Sequence, residues 1–65
     1  MIWREKKVVL KHRIDAIINR LEEIWLNQPH LRLGQLLLNV VKDPELYYLK
    51  DEELIKKLES FYNVG

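Results

Sequence analysis

Arg32, Gln35 and Asn39 are the residues of this sequence with the most chemical promise, since their side chains suit base edges and peptide groups. They recur at i, i+3 and i+7, a spacing that lines up one edge of a helix. Such an edge offers a hydrogen-bonding strip to a partner protein or to nucleic acid. The structural alternative is one wet face on a mostly buried helix, with Gln35 capping backbone groups of the Asn27–His30 turn. A second group is basic: Arg4, Lys6, Lys7, Lys11 and Arg13 oppose a single acid, Glu5, within the first thirteen residues. These cations sit at the positive end of their own helix dipole, so helix stability does not account for them. They suit phosphate contacts, although a whole-chain charge of +1 is low for a nucleic-acid-binding domain. A third pair, Tyr47 and Tyr48, has the composition of an interface anchor. Its structural alternative is one ring capping the core and the other covering a helix.

Catalytic machinery is not recognisable. No nucleophile stands with a placed base, and no phosphate loop or HExxH pair occurs. There is no cysteine, and His12 and His30 are too few for a zinc site without carboxylates. Asp51, Glu52 and Glu53 read as a helix start, where acids favour the dipole, and not as metal ligands. The expectation is a non-enzyme with no cofactor and no metal.

The elements that position these residues follow from hydrophobic periodicity. Leu10, Ile14, Ile17, Ile18, Leu21, Ile24 and Trp25 form one helical stripe, giving a long amphipathic helix over about 4–27, ended by Asn27, Gln28 and Pro29. Leu33, Leu36, Leu37, Val40 and Val41 form a second stripe over about 31–42, stopped by Asp43 and Pro44. Gly34 lies inside that segment at a cost near 1 kcal/mol relative to alanine, which points either to close approach of another backbone or to a first-turn position. A connector over 44–50 follows, too apolar for a free loop. Asp51 reads as the N-cap of a third helix, about 52–63, with Leu54, Ile55, Leu58, Phe61 and Tyr62 on one face. The fold class expected is all-α: one three-helix domain over 1–65, with the two short helices laid end to end along the long one.

Sixty-five residues bury only about 60% of the surface of the unfolded chain, so small domains lean on disulfides, metals or partners. With the first two absent, a partner chain is the remaining support. Ile2, Val9, Leu31 and Leu38 fall off the main stripes on a helical wheel and are the expected self-association surface of a homodimer. No apolar run reaches the length of a membrane span, and the charged N-terminal stretch has no signal-peptide core, so a cytoplasmic protein is expected.

The run Pro29-His30-Leu31-Arg32-Leu33-Gly34-Gln35-Leu36-Leu37-Leu38-Asn39, then Leu46-Tyr47-Tyr48 and Asp51-Glu52-Glu53-Leu54, resembles a group of short bacterial and phage proteins. Those carry a P-x-x-R-[LF]-G-Q-L-x-x-N segment, an aromatic pair and an acidic helix start. The resemblance covers roughly Trp25 to Tyr62. The group has no assigned activity, so the resemblance implies only that Arg32, Gly34, Gln35 and Asn39 are the residues to test first. His30 stands where an acidic residue is common in that pattern. The function expected is a small non-catalytic protein-binding module, of the kind by which a phage regulates or inhibits a host protein. The alternative is a nucleic-acid-binding regulator using the basic segment and the Arg32 edge.

Overall fold

A computed structural model describes the backbone of residues 2–64 and the side chains of residues 9–64. The described chain is helical, with no strand. Four helices follow in order: α1 (Ile2–Leu26), α2 (Leu33–Leu38), α3 (Glu45–Tyr48) and α4 (Asp51–Phe61). The all-α class holds. The three-helix arrangement holds only in part, because the second segment is short and the connector contains a helical turn of its own.

Helix α1 follows its stripe and stops where expected. The Gln28 side-chain amide donates to the Ile24 carbonyl, and the Asn27 amide donates to the Glu23 carbonyl at 3.0 Å. These bonds satisfy carbonyls that lose their helical partners once Pro29 diverts the chain. The Trp25 indole N–H donates to the Leu31 carbonyl at 2.7 Å and fastens the turn against the helix end.

Helix α2 has six residues instead of about twelve. Beyond Leu38 the backbone tightens, with the Val40 amide donating to the Leu37 carbonyl at 3.1 Å. Two β-branched residues and then Asp43–Pro44 favour leaving the helix there. The stripe still keeps its purpose: Leu36 and Val41 are buried, and Leu37 and Val40 pack beside the core. Gly34 is exposed in the first turn, and a Cβ built on it would meet nothing within 4 Å. Its first-turn position, and not close backbone approach, therefore explains it.

Helix α4 begins one residue earlier than expected. Lys50 is its extended N-cap and Asp51 its first helical residue, with Glu52 and Glu53 completing an acidic first turn. At the other end Asn63 adopts φ 57°, and the Val64 amide donates to the Glu59 carbonyl at 2.8 Å. This six-to-one bond closes the helix and folds Val64 back onto the core.

The core is small: Ile24 from α1, Leu36 from α2, and Ile55 and Leu58 from α4 are fully buried together. The Tyr62 hydroxyl donates to the Leu36 carbonyl at 2.8 Å across 26 residues of sequence. Tyr62, and neither Tyr47 nor Tyr48, is thus the aromatic that closes the core. Arg13 pairs with Asp51, and Arg20 donates to Glu59 at 2.9 and 3.3 Å and lies 3.8 Å from Glu52. These pairs order α4 along α1 in the same chain direction, starting near Arg13. The hydrogen bond from Arg20 to Glu59 raises the guanidinium above its ordinary pKa, so it stays charged wherever the protein is folded.

Tyr62→Phe removes one part-buried hydrogen bond and leaves the Leu36 carbonyl without that donor. It should cost about 1 kcal/mol, lowering the melting midpoint by about 4–8 °C for a domain this small. A thermal melt followed by circular dichroism measures this, and a midpoint equal to wild type would deny the bond any net role.

Candidate functional site: the open edge of helix α1

The site follows from a mismatch of lengths. Helix α1 has 25 residues and α4 has 11, about 37 Å against about 16 Å of axis. Because α4 starts beside Arg13, it does not run along the part of α1 before that point. Helix α2 does not fill the gap. It sits at the far end of α1, where Leu36 meets Ile24.

A second mismatch concerns width. On a wheel at about 100° per residue, the α1 stripe spans roughly a third of the circumference. Helix α4 covers the edge that carries Ile17 and Ile24. The other edge is open at Ile14 and Ile18, and further along it Leu21 and Trp25 are half-buried, packing beside the core while still showing one side at the surface. Leu10, Ile14 and Ile18 are 49%, 50% and 52% exposed, although all three belong to the main stripe. Toward the C-terminal end this edge becomes the wall of an apolar groove of about 530 Å³, lined by Ile18, Leu21, Trp25, Leu26, Pro29 and Leu33, with Glu22 at the margin.

The residues singled out from sequence lie elsewhere, and α1 brings few of them together. Arg32, Gln35 and Asn39 are exposed at the two ends of α2. Arg32 is the extended N-cap, and its backbone N–H donates to Gln35 Oε1 at 2.9 Å. Gln35 therefore does cap backbone, at the start of its own helix and not in the Asn27–His30 turn. The Arg32 guanidinium has no acceptor to return the bond, so the cap is one-sided. Asn39 is the C-cap, its backbone N–H donating to the Gln35 carbonyl at 3.0 Å.

Tyr47 and Tyr48 are 82% and 77% exposed and stack edge to face at a centroid distance of 5.0 Å. Neither caps the core or covers a helix; in the connector it is Leu46 and Leu49 that are half-buried. Of the basic cluster, Arg13 is engaged with Asp51, and Lys11 donates to Asp15 at 2.9 Å. Arg4, Lys6 and Lys7 lie outside the residues whose side chains are described, as does Ile2 of the self-association set. Within that set Val9 and Leu38 are exposed, whereas Leu31 packs against the core. The helical wheel misplaced Leu31 because the chain is not yet helical there: α2 starts two residues later. His12 and His30 are exposed. Among the described residues, no three His, Asp or Glu side chains are placed to hold a metal ion, and no helix is long and apolar enough to cross a membrane.

Sequence reasoning missed the open edge. It assumed two helices of about twelve residues laid along α1, which would have covered Leu10, Ile14 and Ile18. The usable signal was the width of the stripe, since Ile14, Ile18, Leu21 and Trp25 recur at alternating spacings of four and three, as in a helix–helix seam. No protein family, curated protein or solved structure matches the chain.

Exposure separates the structural from the available residues. Tyr47→Ala and Tyr48→Ala should each change stability by less than about 0.5 kcal/mol, as exposed substitutions do. Gln35→Ala should cost about 0.5–1 kcal/mol through the lost cap. Urea titration ranks the three, and an order with either tyrosine above Gln35 would contradict these placements.

Proposed function

We propose that this protein is a small non-catalytic binding module that works by offering the open edge of α1 to a helix of another chain, and that it self-associates through that edge. The observation that carries the reading is the row of half-exposed Leu10, Ile14 and Ile18 leading into the groove beside Trp25. Singly exposed apolar residues are ordinary on any surface. A contiguous row on the main stripe of a helix, ending in a concave apolar groove, is the feature that helix-in-groove recognition uses.

Magnitudes support association without making it tight. Full burial of a leucine or isoleucine is favourable by about 1.5–3 kcal/mol, so each half-exposed residue retains roughly 1 kcal/mol of unused driving force. A handful on each of two surfaces is comparable with the 4–15 kcal/mol that association costs. Affinity then depends on fit, and a concentration-dependent equilibrium is expected.

This reading moves the self-association surface from Ile2, Val9, Leu31 and Leu38 to the stripe itself, with Val9 on another face of the helix. Arg32, Asn39 and the Tyr47–Tyr48 pair remain exposed and available to a further protein partner. The resemblance to short bacterial and phage proteins fits a regulator or inhibitor acting by occupancy in the cytoplasm. Nucleic-acid binding has less support. Lys11 and Arg13 already face carboxylates, and α2, at about 9 Å, is short for a helix that reads a groove.

Sedimentation equilibrium tests the proposal. The wild-type weight-average mass should rise above 7.9 kDa over tens of micromolar, and Ile18→Lys should hold it at the monomer value with helical circular dichroism retained. A wild-type chain that stays monomeric throughout that range refutes self-association.

A further inference from the structure

From the charge pattern and the shape of α1 we infer that the occupant of the open edge is a second copy of this chain, with the two α1 helices antiparallel about a two-fold axis near residues 16 and 17. The inference rests on the binding-module reading above and adds the orientation and register of the two copies.

Three observations carry it. The molecule holds both halves of one interface. Upstream of Arg13 the α1 stripe is not covered by α4, and Leu10 is 49% exposed there. Downstream, the same helix walls an unfilled apolar groove along Ile18, Leu21 and Trp25. An antiparallel two-fold sets the uncovered half of each copy into the groove of the other, so both gaps close twice with one contact type.

The seam is self-complementary in register. With the axis near residues 16 and 17, Ile14 meets the partner's Ile18, Ile18 meets the partner's Ile14, and Leu10 reaches the neighbourhood of the partner's Leu21 and Trp25. The four-three spacing of Ile14, Ile18, Leu21 and Trp25 keeps these contacts on one line as the helices pass.

The charges select the direction. Lys11 and Glu22 are eleven residues apart, close to three full turns, so they lie on one line along the margin of the open edge. A two-fold axis between them places Lys11 of each copy beside the partner's Glu22, on the same margin. It also sets the half of α1 that carries Lys11 against the half that carries Glu22 and Glu23. A parallel pair would instead stack cations on cations and acids on acids, with helix dipoles aligned. Lys11 also pairs with Asp15 within its own helix, and its ammonium has donors for both carboxylates.

A charge-swap mixture tests the orientation. Lys11→Glu faces two acids with two acids in a homodimer, and Glu22→Lys faces two cations with two cations. Each variant alone should self-associate about tenfold more weakly than wild type. An equimolar mixture of the two should recover wild-type affinity as a heterodimer, because both cross pairs are again opposite in sign. Sedimentation equilibrium on each sample gives the readout, with circular dichroism confirming that both variants are helical. Unweakened single variants, or a mixture no tighter than its components, would overturn the antiparallel arrangement while a self-associating wild type left the binding-module reading standing. A monomeric wild type would end both.

Discussion

Burial of Ile24, Leu36, Ile55 and Leu58 in one cluster is the interaction on which the rest of the molecule depends. It draws two helices, α2 and α4, to the C-terminal half of α1 and fixes where α4 lies. Once α4 is committed there, eleven residues of helix cannot also cover the N-terminal half of a 25-residue partner. The uncovered stripe is a direct consequence of where the core forms. The ion pairs Arg13–Asp51 and Arg20–Glu59 are consistent with this placement. They line the flank of α4 and hold its direction; the exposed Arg13–Asp51 pair adds little to stability, whereas Arg20–Glu59 is part-buried and bidentate.

Polar groups are used sparingly and mostly at ends. Trp25, Gln28, Gln35 and Tyr62 each bond a backbone group where a helix starts, stops or meets another. This is the economy a 65-residue chain needs, since an unpaired buried amide or carbonyl would cost a large share of a small net stability. Among the described residues no buried side-chain polar atom lacks a partner. Residues with the look of a recognition strip, Gln35 above all, turn out to serve these junctions. Residues with the look of plain core, Ile14 and Ile18, are the ones left at the surface.

That inversion marks what the sequence could and could not convey. Periodicity placed α1 to within a residue or two at each end, found the α4 face apart from Phe61, which is exposed, and located both breaks at Pro29 and Pro44, because these depend on local geometry. It overextended α2, because Val40 and Val41 continue a helical pattern that the backbone abandons after Leu38. It left Tyr47 and Tyr48 undecided and placed Leu31 outside the core, because their environment is set by tertiary contacts. The open edge was beyond reach for a related reason. A stripe records which residues prefer to be buried, and says nothing of whether the rest of the chain is long enough to bury them.

The most direct test is contact across the seam. In a sample mixing isotope-labelled and unlabelled copies, filtered nuclear Overhauser spectra should show cross-peaks from the Leu10, Ile14 and Ile18 methyl groups of one copy to Ile18 and the Trp25 ring of the other. If no cross-peak links labelled to unlabelled chains at concentrations approaching millimolar, and the Ile14 and Ile18 methyl shifts do not move on dilution, these side chains face water and the second copy does not bind there.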